Sequence, residues 1–401
     1  MAQFPGIKSS DRNAKTKKEL LRLCIGHGSY CIADFSRELG ISVPTVTKIV
    51  EEFLAEGILR DEGKIGTSGG RRPSTYGLNP EAGYFLGIDV GRHHFHIAVT
   101  DFKGTLVKYI QDIEFVLEAN ADSFRRMCRR VIDEVVGTGI PWIKIFAACV
   151  SLSGRVNPEK GYSLTYSVSD ELPMLELFRK ELSVPVSIEN DSRAMTYGEY
   201  MLLGKDADPN MIFINLSWGL GMGMILDGKL YHGKSGFSGE IGHFPLLDND
   251  IMCRCGKIGC LETGASGSAL RRIIEEKLAG GRSSSLSPIY AHRGEIDLED
   301  ILKAIQEEDM IAIEGIEEVG ETLGRGIAGI LNIFNPGLVV VGGRLIVGKD
   351  YLMLPIKTAV NKMSLHKVTS DTRFMLSRLG RKAAGLGDCL LARAKFLDLT
   401  Y

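Results

Sequence analysis

Between Gly239 and Glu262 the chain reads G-E-I-G-H-F-P-L-L-D-N-D-I-M-C-R-C-G-K-I-G-C-L-E, placing one imidazole, His243, and three thiols, Cys253, Cys255 and Cys260, within eighteen residues. That is the donor count of a closed tetrahedral Zn²⁺ site, in which the protein fills every coordination position and the metal serves structure. A Cys-x-Cys pair does not readily close on itself as a disulfide, and Gly256 and Gly259 let the backbone wrap round an ion. The rival readings are four unrelated residues or a redox pair. Two carboxylates, Glu240 and Glu262, bracket the donors. Thiolates already make such a centre negative, so these acids point to a second task, accepting hydrogen bonds from the hydroxyls of a polyol. Plain solvation of both acids is the competing reading.

The strings G-E-x-G-H and C-x-C-G-x-x-G-C-x-E resemble those of the ROK family, the bacterial sugar kinases and sugar-responsive repressors of the NagC/XylR type. The resemblance implies sugar contact for Glu240, zinc ligation together with approach to a sugar hydroxyl for His243, metal ligation for Cys253, Cys255 and Cys260, and a further sugar contact for Glu262. It also implies an actin-like, hexokinase-type fold.

The elements that must position these groups are legible in outline. At 401 residues, with 44% hydrophobic residues, the chain can build two or three domains. It has no apolar run long enough to span a bilayer and no apolar segment near Met1 that would make a signal peptide, and five of its eight cysteines are scattered. A cytoplasmic protein without membrane partners is expected. The first 80 residues carry 12 Lys+Arg against 9 Asp+Glu, so a slightly basic head precedes an acidic body, which permits a nucleic-acid partner.

Within that head, apolar spacing predicts helices over 16–26, 32–39 and from Ser42 to Leu54, with Gly40 in the turn between the last two. This is helix-turn-helix order, and Ser42, Thr45, Thr47 and Lys48 lie where a recognition helix meets bases and phosphates. Residues 59–61 and 75–78 are expected to pair as a hairpin whose glycine-rich tip holds Lys64, Arg71 and Arg72, a wing able to enter a minor groove. A helical protein-binding bundle and a flexible linker are the alternatives. The string S-G-G-R-R-P and the L-N-P-E-A-G-Y-F-L-G-I-D that follows also resemble the DNA-binding head of ROK repressors.

From Tyr84 three strands form a meander, and a similar rhythm returns from Met211 to Tyr231. Such repetition suggests a duplicated α/β domain with a cleft between its halves. The expected organisation is a winged helix-turn-helix over 1–80 and a ROK domain over 81–401, its lobes spanning approximately 81–205 with the C-terminal helix, and 206–380. Asn190 and Asp191 end a strand predicted over 184–189, just before a helix, a usual ligand position in α/β proteins. An N-capping aspartate is the alternative. The family resemblance makes Asn190 a sugar contact and Asp191 the general base of a kinase. Residues 280–294 read as a surface loop, 298–306 and 310–334 as helices, 338–341 as a strand, and 383–396 as a last helix. The glycine pair Gly342-Gly343 matches a segment that lines the adenosine site in the kinases, with tight packing as the alternative.

Two departures weigh against phosphoryl transfer. Where the kinases have D-x-G-G-T and G-T-G-x-G-G-G, this chain has Asp89-Val90-Gly91-Arg92-His93 and Ser217-Trp218-Gly219-Leu220-Gly221-Met222-Gly223. Backbone N–H groups reach nucleotide phosphates only where side chains are absent, so both cradles are impaired and bound ATP with Mg²⁺ is not expected. The expectation is therefore a transcriptional regulator of repressor type. Its partners would be operator DNA and a sugar or amino-sugar effector held by Asn190, Asp191, Glu240, His243 and Glu262, with a structural Zn²⁺ and assembly as a homodimer or dimer of dimers. The alternative is a ROK-type ATP-dependent sugar kinase with a DNA-binding head, in which Asp191 is catalytic.

Overall fold

The computed structural model describes residues 13–64, 73–166 and 173–399. The chain divides into two compact units, Met1–Ala194 with Ala384–Tyr401, and Met195–Ala383.

The first unit begins with α1 (Ala14–His27), β1 (Tyr30–Cys31), α2 (Ile32–Leu39), α3 (Val43–Ala55), β2 (Leu59–Lys64) and β3 (Ser74–Leu78). Leu20, Phe35, Val46, Ile49 and Phe53 are fully buried, which is the periodicity read from the sequence. Gly40 adopts the left-handed conformation (φ +64°) that turns α2 into α3 and donates its N–H to the Ser36 carbonyl. The three strands form one antiparallel sheet in the order β1-β3-β2. The expected hairpin is present and longer than anticipated; β1, only two residues long, left no alternating signal to read. Arg71 and Arg72 lie outside the described residues. Ser42 occupies the N-cap position of α3, but its Oγ pairs with Thr45 Oγ1 at 2.8 Å and caps no backbone N–H.

The body of this unit continues with β4 (Tyr84–Val90), β5 (His94–Asp101), β6 (Leu106–Glu114), α4 (Ala121–Gly137), β7 (Ile145–Leu152), β8 (Val156–Asn157), β9 (Tyr162–Ser163), α5 (Met174–Leu182), β10 (Val186–Asn190) and the first turn of α6 (Asp191–Leu203), whose remainder belongs to the second unit. Its sheet runs β10-β7-β4-β5-β6, with β4–β5–β6 antiparallel and β4, β7 and β10 parallel. Both parallel inner strands are apolar except for Asp89 near the end of β4 and Ser151 near the end of β7, as strands covered on two faces must largely be.

The second unit contains β11 (Met211–Leu216), β12 (Leu220–Leu226), β13 (Lys229–Leu230), α7 (Gly267–Ala279), α8 (Ser287–Arg293), α9 (Leu298–Gln306), α10 (Met310–Phe334), β14 (Leu338–Gly342), α11 (Lys349–Met363), α12 (His366–Asp371) and β15 (Arg373–Leu376); the chain ends with α13 (Ala383–Phe396). Its sheet runs β13-β12-β11-β14-β15. In sequence order both large sheets are 3-2-1-4-5, an antiparallel meander extended by two parallel strands, so the repeat is one of topology. Residues 280–294 are not wholly a loop. Leu286 is buried and Pro288 lies in the first turn of α8, so one apolar anchor and a helix-compatible proline outweigh the glycine and serine content. Gly320 and Gly324 let α11 pack closely on α10, since a Cβ at Gly324 would stand 2.6 Å from the Ile356 carbonyl oxygen.

Candidate metal centre and carboxylate groups

In the second unit the four predicted donors converge. His243 ends a short 3₁₀ turn (Ile241–His243), and the loop returns through two isolated bridges, Pro245 with Cys260 and Met252 with Ile258. Cys253 N–H donates to the Lys257 carbonyl at 2.7 Å and Gly256 N–H to the Cys253 carbonyl at 2.9 Å, closing a knuckle that turns at Gly256 (φ +84°). At Gly259 (φ +75°) a Cβ would stand 2.6 Å from the Leu247 carbonyl oxygen, so glycine is required twice over.

The donor atoms lie within 4.8 Å of one another. A tetrahedral zinc with its usual bond lengths separates two sulfurs by about 3.8 Å, and a sulfur from a nitrogen by about 3.6 Å. Here Cys255 Sγ and Cys260 Sγ are 3.6 Å apart, and Cys253 Sγ lies 3.5 Å from His243 Nδ1. These match two of the six edges of such a tetrahedron, and the cluster can hold a metal ion. Four protein donors leave no open position, so an ion there would brace the loop and carry no substrate. Burial pushes the Cys260 thiol up to about 12 and raises Cys253, whereas the Lys257 N–H lowers Cys255. Metal entry must therefore release protons. His243 Nε2, on the far edge of the ring, lies 3.7 Å from Glu240 Oε2, the carboxylate–imidazole arrangement that orients a metal-binding histidine.

Glu262 has a backbone partner. Its Oε2 accepts the Leu220 N–H at 2.9 Å, and a Cβ at Gly219 would lie 2.8 Å from that oxygen. The carboxylate therefore sits on the tight β11–β12 turn, the second of the two glycine-rich strings that depart from the kinase pattern. The Ser217 and Trp218 carbonyls of this turn accept the Gly267 and Ser268 N–H groups. A turn whose donor is taken by a fixed anion repels phosphate. In the first unit the Gly91 N–H closes the β4–β5 turn on the His94 carbonyl at 2.9 Å.

The first unit carries a second acidic group at the ends of β4, β7 and β10. Asp191 Oδ1 accepts the Ser192 N–H (2.7 Å), the Ser192 hydroxyl (3.2 Å) and the Asn190 amide (2.9 Å), leaving Oδ2 without a donor among the described residues. Asn190 Oδ1 caps Arg193 N–H at 3.1 Å and its Nδ2 also reaches the Gly154 carbonyl at 2.9 Å, so the asparagine is the helix cap and the aspartate keeps an open oxygen. Burial raises both Asp191 and Asp89; Asp89 is pushed up to about 7, with the nearby Asp191 charge the next cause.

Sequence reasoning missed four neighbours. Ser151 Oγ bonds Asp388 Oδ2 at 2.6 Å and lies 3.5 Å from Asp89 Oδ1. The buried pair Arg193–Glu189 (2.7 Å) fixes the strand-to-helix junction, with Arg193 also donating to the Val156 carbonyl. The signals were present: a single acid in the apolar string A-A-G-L-G-D-C-L-L-A, and Glu189 four residues before Arg193. On the head, Ser42 and Lys48 are exposed, Thr45 and Thr47 half-buried, and Lys64 exposed at the end of β2.

A winged helix-turn-helix followed by two sheets of one shared strand order, the second bearing a Cys₃His cluster, defines the class: a duplicated α/β protein of the actin-like kind with a DNA-reading type of head. The ROK family profile matches residues 85–395, and the chain belongs to the ROK family. It is similar to the xylose repressor of Bacillus subtilis (strain 168), 28% identical over 389 residues and covering 96% of both chains. It is also similar to the DNA-binding transcriptional dual regulator NagC of Escherichia coli (strain K12), 25% identical over 411 residues with 97% of this chain and 96% of that protein covered. Among solved structures, a ROK family transcriptional regulator, homologue of the E. coli MLC protein, superposes with a TM-score of 0.81 at 26% identity, over 96% of this chain and 97% of that one. No helix among the described residues is long and apolar enough to cross a membrane.

Proposed function

We propose that this protein is a sugar-responsive DNA-binding transcriptional regulator of repressor type. The observation that carries the reading is the winged helix-turn-helix over residues 14–78 joined to the ROK domain, the combination spanned end to end by the relatives named as repressors. Ser42, Thr45, Thr47 and Lys48 are the proposed base and phosphate contacts on the second helix of the motif, with Lys64 on β2; Arg71 and Arg72, outside the described residues, are proposed as further DNA contacts. The head is assigned to residues 1–80 and the ROK domain to 81–401.

The proposed effector is a neutral sugar or amino sugar, with Asn190, Asp191, Glu240, His243 and Glu262 as its proposed contacts. Carboxylates accept hydroxyls well and repel phosphate, which favours an uncharged ligand. The open Asp191 Oδ2 supports its role as an acceptor, while Asn190 and Glu262 each spend part of their capacity on the backbone. Zn²⁺ is the proposed occupant of His243, Cys253, Cys255 and Cys260, where it would cross-link the loop that presents Glu240 and His243. A two-fold dimer, or a dimer of dimers, follows from the need of one recognition helix for a second half-site.

A sugar kinase with a regulatory head is the second reading, and Asp191 is the residue that favours it. The Glu262 carboxylate on the Leu220 N–H opposes it, because that turn would have to receive phosphate. The deciding experiment is a melting-temperature screen of D-xylose, D-glucose and N-acetyl-D-glucosamine, with and without ATP, coupled to DNA retention at several salt concentrations. A stabilising sugar that needs no ATP and weakens salt-sensitive DNA binding supports the regulator. Conversion of ATP to ADP with any of these sugars overturns it in favour of the kinase.

A further inference from the structure

Helix α13 carries polar groups that its apolar surroundings do not call for. Most of its residues are buried, yet Asp388 is fully buried and Arg393 is 4% exposed, and Asp398 follows just beyond its end. Buried polar groups require partners, and Asp388 and Arg393, like the exposed Asp398, each find one in a different part of the first unit.

Asp388 accepts the Ser151 hydroxyl at 2.6 Å, and the same hydroxyl lies 3.5 Å from Asp89. Its other oxygen has no partner among the described residues. Arg393, one and a half turns further on, donates to the Lys103 carbonyl in the β5–β6 turn. Gly104 makes room for it: φ is +93° there, and a Cβ would run into the Arg393 guanidinium and Leu390. Lys103 Nζ in turn pairs with Glu62 of wing strand β2 at 2.6 Å, and Glu62 also accepts the Ser29 hydroxyl at 2.6 Å, just before β1. Asp398 pairs with Lys18 at 2.5 Å, and its carbonyl accepts from Arg22 at 2.9 Å; both partners are on α1.

Packing ties the other end of α13 to the acidic group. A Cβ at Gly387 would collide with the Ala194 carbonyl, and one at Gly87 with the Gly385 carbonyl, so α13 lies backbone-to-backbone on the first turn of α6 and on β4. Those two elements carry Asp191 and Asp89. A close-packed contact without intervening side chains passes displacement on, because it has no slack to absorb it.

We propose that α13 couples ligand occupancy at the Asp89–Asp191 group to the orientation of the DNA-reading head, with Lys18–Asp398 and Arg393–Lys103–Glu62 as its two grips. The proposal rests on the functional reading above. Exposed pairs of this kind contribute little to folding, so their removal should leave the fold intact and change only how the head is held.

The test uses the full-length chain, a duplex that it selects from a randomised pool, and whichever of D-xylose, D-glucose or N-acetyl-D-glucosamine raises its melting temperature. In the double variant Asp398→Ala/Lys103→Ala the sugar still raises the melting temperature, and DNA affinity without sugar stays within about threefold of the original. The ratio of DNA affinities without and with sugar, several-fold or more in the original chain, falls to within about twofold of unity. Exchanging the charges, Lys18→Glu with Asp398→Lys, restores the response that Asp398→Ala alone reduces. A double variant with an unchanged ratio, or a charge exchange that restores nothing, overturns the proposal. If the original chain shows no DNA binding or no sugar response, the functional reading has failed instead. The grips are then judged by amide hydrogen exchange in α1 and β2: acceleration of about tenfold or more in the double variant upholds them, and unchanged exchange overturns them.

Discussion

Cys255 is the most exposed of the three thiols in the cluster, and its sulfur lies 3.6 Å from that of Cys260, so its replacement removes one corner of the tetrahedron with little direct cost to packing. Cys255→Ser is expected to lower bound zinc from about one equivalent to a small fraction and to cost about 3 kcal/mol or more, because metal-binding free energy becomes folding free energy. Elemental analysis and thermal melts check this, and a variant that keeps its metal and its melting temperature removes the site. Asp89 offers a pH test. Its folded-state value of about 7 lies above the unfolded carboxylate range near 4, so the native state keeps a proton that the unfolded chain has released. Its contribution to stability is fully present below about pH 4, declines as pH rises to about 7, and is flat beyond. In Asp89→Asn that decline disappears, so the melting temperature of the variant minus that of the original chain should be larger at pH 8 than at pH 5. An equal difference at both pH values sinks the assignment. The cysteine spacing was readable directly from the chain. The pairing of Asp388 with Ser151 was not, since residues 237 positions apart meet only when β7 and α13 pack.

At the scale of elements, the junction of β10 and α6 depends on the buried pair Glu189–Arg193, with both side chains almost without solvent exposure. Arg193→Met leaves a carboxylate buried without its counter-ion and is expected to cost about 3–5 kcal/mol in denaturant unfolding. Adding Glu189→Gln should recover part of that loss; a double variant no more stable than the single one would mean that the pair is not the cause. The long helix α10 was legible because its apolar residues recur at helical spacing, and α13 because its run of small and apolar residues suits a helix buried on most sides. Three kinds of element were not. β1 is too short to alternate, α8 is disguised by serine and glycine, and α7 and α11 received no assignment although each is more than ten residues long. In α11 an internal proline, Pro355, breaks the usual pattern, and the helix is held instead by glycines of α10 that lie some thirty residues earlier.

For the whole molecule the decisive measurement is the salt dependence of DNA binding. Every lysine withdrawn from a phosphate should reduce the slope of log affinity against log salt by about 0.9, so Lys48→Ala and Lys64→Ala together are expected to flatten it by about 2 while weakening binding to all sequences alike. An unchanged slope would falsify the assignment of these two lysines to phosphates. The sequence by itself determined the four candidate donors that converge, the helix-turn-helix and the family, because each rests on residue type at short spacing, which chain connectivity enforces before any tertiary contact forms. The altered phosphate turns were visible in the same way. Only the tertiary structure decided what those turns now do, since the Glu262 carboxylate reaches Leu220 from 42 residues away. It alone also showed that both large sheets share one strand order, and that α13 meets the acidic group with one end and the head with the other. Such pairings are chosen by which surfaces can be buried together, a property of the folded chain that no local stretch of sequence contains.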